Sequence, residues 1–236
     1  MTARRAPGWR LDELAHAGRE HHDPAHAARY DDKEDANAAS EVARLRELGL
    51  GAGAVVVELG AGTGQFTVAV APACARVVAV DVAPPMLARL KAKVAALGLA
   101  NVEVARAGFL TYEHAGEPAD VVYSRYALHH LPDFWKALAL DRVRRMLRPG
   151  GIFRLWDVVY DFAPAEAEER IEAWCATGGD EVEGEWSRAE LEEHVRDEHS
   201  TFTWILEPMI ERCGFAIEAA ERSGDGIFAR YVLRAA

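Results

Sequence analysis

The stretch Glu58-Leu59-Gly60-Ala61-Gly62-Thr63-Gly64 constrains this chain more than any other. It follows a β-branched apolar run, Ala54-Val55-Val56-Val57, and opens a helix-like segment from Gln65 to Cys74. Glycines are needed where the backbone turns sharply and a ligand must touch it. The helix that follows offers free N–H groups. Such a loop binds a nucleotide-like or anionic group.

The segments around it alternate. Arg76 to Asp81, Asn101 to Val104, Ala119 to Ser124 and Ile152 to Val159 are short apolar runs with strand character. Pro84 to Leu97 and Phe134 to Leu147 have helical spacing, the second closed by Arg148-Pro149-Gly150-Gly151, and an earlier helix starts at Lys33 and ends at Gly49. Near-continuous apolar strands alternating with helices predict an α/β fold with a parallel sheet covered on both faces. The last third differs. Residues 161–200 are acidic and helix-like, and an apolar stripe runs from Phe202 to Cys213 with Pro208 inside it, where a helix must kink or restart. Phe215 to Glu221 and Ile227 to Leu233 read as strands joined through Ser223-Gly224-Asp225-Gly226, a hairpin that makes the end of the sheet antiparallel.

Two cofactor chemistries compete for the loop. A dinucleotide site wants G-x-G-x-x-G, but Gln65 stands where its last glycine belongs. Glu58 would repel a pyrophosphate, whereas it suits a cationic ligand such as S-adenosylmethionine, with its sulfonium and ammonium. Asp81, at the end of the second strand, can accept both ribose hydroxyls in either class. The combination E-x-G-x-G-x-G with that acid separates them, and it disfavours a nucleotide-dependent oxidoreductase.

With Val55 to Gly64, Val77 to Asp81, Tyr126-Ala127-Leu128-His129-His130-Leu131-Pro132 and Leu147 to Gly151, the chain resembles a class I S-adenosylmethionine-dependent methyltransferase of the small-molecule type, over roughly residues 40–160. The resemblance implies a Rossmann-like, seven-stranded, mostly parallel sheet with helices on both faces and an antiparallel last strand. It implies that Gly60, Ala61, Gly62 and Gly64 pass the methionine part of the cofactor and that Glu58 orients the loop and the amino group. Asp81 would bind the ribose, Val82 would lie against the adenine, and Met86 would pack nearby. Ser124 and Arg125 would approach the methionine moiety. One departure stands out. The acid that usually follows the third strand and meets the adenine amino group is Gly108 here, which leaves the N–H of Phe109 to reach the ring.

Other candidates carry two readings each. Tyr30 either closes over the cofactor or sits on the surface. His130, with His129, belongs to a loop-to-helix turn or acts in catalysis; adjacent residues point apart, which argues against one metal held by both. His199 is a general base or lies at a helix N-terminus capped by Ser200 or Thr201. His16, His21, His22 and His26 show no ligand spacing, and no metal centre is expected.

Composition narrows the partners. A net charge of −11 repels a phosphate backbone, and the one basic cluster, Arg142, Arg144, Arg145 and Arg148, reads as a solvated helix face. Nucleic acid and membrane are therefore not expected as partners. Three distant cysteines predict neither disulfide nor zinc framework. No apolar run approaches ~20 residues and the N-terminus lacks an apolar signal core, so a cytoplasmic protein is expected. The expectation is one methyltransferase domain over 1–236, monomeric or homodimeric, with 1–33 as a lid-like segment and 161–207 as an insert shaping the acceptor pocket. It would methylate a small molecule; the alternative is a cofactor-binding protein on the same fold without transfer.

Overall fold

A computed structural model describes residues 7–18, 24, 27, 30, 31, 37–179 and 186–236. His21, His22, His26 and the helix start at Lys33 lie outside the described residues. The first half alternates as the sequence predicts: α1 (Ala38–Glu47), β1 (Val55–Leu59), α2 (Gln65–Val70), β2 (Arg76–Asp81), α3 (Pro84–Ala96), β3 (Val102–Arg106), β4 (Ala119–Arg125), α4 (Asp133–Met146) and β5 (Leu147–Tyr160). The second half adds α5 (Ala167–Cys175), α6 (Arg188–Asp197), β6 (Thr201–Phe202), α7 (Thr203–Arg212), β7 (Phe215–Arg222) and β8 (Phe228–Ala235).

The strands line up in the order β3-β2-β1-β4-β5-β8-β7, and the short β6 pairs with the end of β5. Neighbours from β3 to β5 are parallel, while β8 runs antiparallel to both β5 and β7. The expected sheet is present, with β6 as an addition. Its two residues sit at the head of the apolar stripe, where helical spacing hides them; Pro208 lies inside α7, and the helix does not restart there.

Alternation along each strand explains why both faces are covered. Val57 and Leu59 of β1 join Val78, Val122, Phe153 and Leu155 under α4 and α7, where Leu140, Val143, Leu206 and Ile210 meet them. Val56, one residue over, joins Val77, Val121 and Ile152 under α1 and α2, against Leu45, Phe66 and Val70. Glu41 of α1 and Arg154 of β5 are buried on this second face and form a two-pronged pair at 2.8 and 2.9 Å. The segment after β5 has its own apolar cluster, in which Trp174, Cys175 and Leu191 pack on Val158, Tyr160, Phe162 and Ile227.

Two details differ from expectation. β5 starts at Leu147, paired with Ala119, so Arg148 to Gly151 belong to the strand instead of closing the helix. The arginines of the basic cluster are engaged locally: Arg142 donates to the carbonyls of Phe109 and Tyr112, Arg145 pairs with Asp141 and Arg148 with Asp120. The three cysteines are free thiols. Among the described residues no helix is long and apolar enough to cross a membrane.

Candidate functional site

The strand order reverses at β1, which is flanked by β2 on one side and β4 on the other. Loops leaving β1 and β4 therefore diverge and open a cleft at the carboxyl ends of the strands. The glycine loop forms its floor. The amides of Gly60 and Ala61 donate to the carbonyl of Val80 at 2.9 and 3.0 Å, folding the loop back over β2. Gly60 has φ +75°, and a Cβ there would stand 2.3 Å from that of Ala127, so the loops after β1 and β4 touch because residue 60 has no side chain.

Asp81 closes β2. Its Oδ2 accepts from the amide of Gly62 and its Oδ1 from that of Ala83, both at 2.8 Å. Glu58 is buried at the end of β1, where its carboxyl accepts a hydrogen bond from the hydroxyl of Thr67. Burial, with the Asp81 charge nearby, outweighs that bond and pushes its pKa up to about 8.

Two adjoining clefts result. Tyr30, Glu58, Gly60, Ala61, Gly62 and Arg125 line the first, with Phe66, Tyr123 and Tyr126. Tyr30, Gly60, Gly62, Asp81, Val82, Gly108, Phe109, Arg125 and His130 line the second, with Glu13, Ala17, Tyr126 and Leu131. Most residues singled out from the sequence thus meet here. Four line neither cleft. Gly64 precedes α2; Met86 is buried with Ala27, Ala83 and Tyr30; the Ser124 side chain is buried within β4; His199 lies beyond α6 with its ring 6.1 Å from His16. Among the described residues, none of 161–207 lines either cleft, whereas Glu13, Ala17 and Tyr30 of the N-terminal segment do.

Three contributors escape sequence reasoning. Glu13 is the first. Its carboxylate accepts from the amide of Leu110 and the hydroxyl of Thr111, both at 3.0 Å, and burial raises its pKa despite those bonds. A Cβ built on Gly108 would lie 2.3 Å from Glu13 Oε1. The Glu13 carboxyl group therefore occupies the volume that a side chain at position 108 would fill. Asp31 is the second. It accepts hydrogen bonds from Thr63, Gln65 and Lys93, which hold its pKa low against its burial and pin Tyr30 over the loop. Tyr126 is the third: a φ of +48° in a tyrosine marks stored strain at the turn after β4. That turn also lays the guanidinium of Arg125 over the rings of Tyr126 and Trp156, 4.4 Å from each centroid.

Behind His130 lies a buried polar group. His129 Nδ1 hydrogen-bonds Asp157, and His129 Nε2 stands 2.9 Å from Glu198. Burial alone would lower the His129 pKa, but the two carboxylates raise it to about 10. Glu198 is likewise held well below the usual carboxylate range by His129 and His194, against its burial.

An open parallel sheet with a glycine turn, a buried acid before it and a carboxylate at the end of the next strand defines a nucleoside-cofactor enzyme of the Rossmann-like type. Comparisons carry this to a family. A profile described as a methyltransferase domain matches residues 56–151. An uncharacterized methyltransferase of Anoxybacillus flavithermus is 31% identical over 165 residues, covering 70% of this chain and 71% of its own. Among solved structures, the N-methyltransferase NodS of Bradyrhizobium japonicum, in complex with S-adenosyl-L-homocysteine, superposes with a TM-score of 0.59 at 19% identity, covering 84% of this chain and 86% of NodS. An S-adenosylmethionine-dependent methyltransferase from Aquifex aeolicus gives 0.59 at 20% identity, over 89% and 98% of the two chains. The chain belongs to the methyltransferase family, and its fold is that of S-adenosyl-L-methionine-dependent methyltransferases. The residues of the cleft fit S-adenosyl-L-methionine: a buried acid, Glu58, would face its cationic amino-acid part, and Gly62 leaves room beside the loop.

Proposed function

We propose that this protein transfers a methyl group from S-adenosyl-L-methionine to a small-molecule acceptor. One observation carries the reading: Glu13, Ala17 and Tyr30 of the N-terminal segment line the second cleft beside the strand-end residues, bounding a pocket that suits a small molecule. When bound, the cofactor supplies an electrophilic methyl on a sulfonium, and the protein contributes chiefly proximity and orientation. Residues 1–236 act as one domain, with the N-terminal segment as its lid.

The residue roles follow from chemistry. Glu58, Gly60, Ala61 and Gly62 receive the amino-acid part, Asp81 the ribose, and Val82 and Phe109 the base. Glu13 takes the exocyclic amino group, for which each of its oxygens keeps a lone pair. His130, on the wall of the second cleft, is the side chain available to accept a proton from the acceptor. Mixing the protein with a metabolite extract and methyl-labelled cofactor tests the acceptor class. Label should appear in the low-mass fraction; label confined to protein or nucleic acid overturns the reading.

Two variants test the cofactor side. Asp81→Asn keeps one acceptor oxygen but turns an NH₂ toward the amide of Gly62 or Ala83. Cofactor affinity should fall by about 1–3 kcal/mol, roughly 10- to 100-fold, by calorimetry. Glu58 gives a pH signature. Its folded pKa, about 8, lies above its ordinary 4.5, so the cofactor-free protein holds it protonated at neutral pH. The fold's preference for that protonated form is complete below 4.5 and lost as pH rises through about 8. A cation bound beside it favours the ionised form, so affinity should rise with pH up to about 8 and then level off. Calorimetry at pH 7 in buffers of different ionisation enthalpy should show proton release, reduced in Glu58→Gln. Equal release in that variant would remove Glu58 from the linkage.

A further inference from the structure

We propose that His129, His194 and Glu198 form a binding site for one divalent transition-metal ion of the zinc class, with Asp157 holding His129 in place. The three donors come from two distant parts of the chain. His129 sits in the short 3-10 turn Leu128–His130 that follows β4. His194 lies in the last turn of α6, and Glu198 is four residues further on, directly after that helix. One ligand atom from each lies within 4.8 Å of the others, close to the span that a single ion with bonds of ~2.1 Å sets.

The orientation of the rings carries the argument. Each imidazole has one nitrogen turned outward onto an oxygen of the protein: His129 Nδ1 onto Asp157, and His194 Nε2 onto Ser200 Oγ at 2.9 Å. The other nitrogen of each ring faces the same oxygen, Glu198 Oε2, at 2.9 Å for His129 Nε2 and 2.6 Å for His194 Nδ1. This is how metal-bound histidines are held, the outer hydrogen bond fixing tautomer and ring while the inner nitrogen meets the ion. Asp157 is itself fixed by the amides of His129 and Val158, at 3.1 and 2.8 Å.

The oxygen at the focus is the second observation. Glu198 Oε2 is shielded from water, and among the described residues three ring nitrogens converge on it: His129 Nε2, His194 Nδ1 and His130 Nδ1. The ion-pair partners of Glu198 are all imidazoles, and the nearby Lys136 ammonium is directed to Asp133 and to the carbonyl of His199. Asp157 and Glu198 thus converge on His129, with the Lys136 ammonium near Asp157 as a further positive charge. A divalent cation in place of the ring protons would balance them. Two imidazoles and one carboxylate suit zinc, cobalt, nickel or ferrous iron, and not the oxygen-only preference of magnesium or calcium. The absence of a metal expected from the sequence rested on adjacent histidines pointing apart; here the fold recruits one of them and finds its co-ligands 65 or more positions away.

The position gives the ion two consequences. It would tie the segment after β5 to the turn after β4, and it would stand beside His130, whose Nδ1 is 3.8 Å from Glu198 Oε2 and which lines the second cleft. Three protein ligands leave coordination positions open, as in sites that admit a further ligand.

The test uses the full chain without a polyhistidine tag, stripped by chelator and titrated with zinc alone. Calorimetry should give one equivalent per chain, and cobalt should give the visible bands of a four- or five-coordinate nitrogen–oxygen site. His194→Ala and Glu198→Ala should each weaken zinc binding at least 100-fold, while His114→Ala, at a histidine paired with Tyr112, leaves it unchanged. Circular dichroism checks that the variants fold; if they do not, X-ray absorption of the zinc-loaded wild type decides, with two imidazoles in the ligand set as the expected result. No stoichiometric binding by the wild type, binding that survives both substitutions, or a ligand set without imidazole would each overturn the site and leave a hydrogen-bonded ion-pair cluster.

Discussion

Gly62→Val is expected to fold and to lose S-adenosyl-L-methionine binding by on the order of 100-fold or more. The reason is local. Gly62 has φ +52°, a region that β-branched residues avoid at a cost of roughly 1–3 kcal/mol, and its amide is the donor that Asp81 holds. Among the described residues a Cβ at this position meets Cε1 of Tyr30 at 3.9 Å and nothing else within 4 Å, so the added bulk enters both clefts. The strain alone is small beside a typical stability of ~5–15 kcal/mol. Gly62→Ala separates the two effects, keeping the strain with less bulk, and should lose affinity about 10-fold. Gly60→Ala should behave differently, destabilising the fold itself because its Cβ would collide with Ala127. Calorimetry for binding and urea unfolding for stability distinguish these outcomes. A Gly62→Val protein that binds normally would mean that the cofactor does not cross this loop.

That contrast marks what a sequence can carry. The glycine loop, Asp81 and the alternating strands are legible because each is a local pattern with a local cause: apolar runs long enough to be buried on two faces, a turn that needs positive φ, an acid at a strand end. Gly108 was legible only as a gap. What fills it, Glu13, is 97 positions from the amide it binds, and no periodicity links them. Asp31, 62 positions from Lys93, and the pairing of His129 with Glu198 are of the same kind. Side chains that meet through tertiary packing leave their trace in the sequence only as an unexplained polar residue. The segment 161–207 shows a different limit. Its acidity suggested a role at the acceptor; Trp174, Cys175 and Leu191 turn its apolar side onto β5 and its neighbours, and none of its described residues lines either of the two clefts. Among its described residues, Glu198 stands beside His130, and His194 and His199 contact His129.

The pair between Glu41 and Arg154 should be the costliest single polar contact to break. Both side chains are nearly excluded from water, at 4% and 2% exposure, and the guanidinium meets the carboxylate through two nitrogens. Such a fork is strong because both bonds are charge-assisted and parallel. Its net worth is nevertheless limited, since two charges had to leave water to form it. Removing one partner is another matter. Glu41→Gln leaves the shape and one acceptor oxygen but takes the charge and turns an NH₂ toward one guanidinium N–H, leaving Arg154 under α1 as an uncompensated charge with that oxygen and the carbonyl of Tyr231, at 3.4 Å, as acceptors. Unfolding free energy should fall by about 3–5 kcal/mol in urea, with an unchanged slope if the denatured state is unaffected. Replacing both residues by apolar ones, Glu41→Leu with Arg154→Met, should recover most of that loss, because the desolvation of two charges disappears together with their attraction. Phe66 and Tyr123, which line the first cleft, lie on the same face of the sheet, so cofactor affinity is measured on the folded fraction beside stability. A loss below about 1 kcal/mol for Glu41→Gln would mean that water reaches Arg154. Equal losses in the single and double variants would instead point to packing under α1, and not charge, as what holds that helix to the sheet.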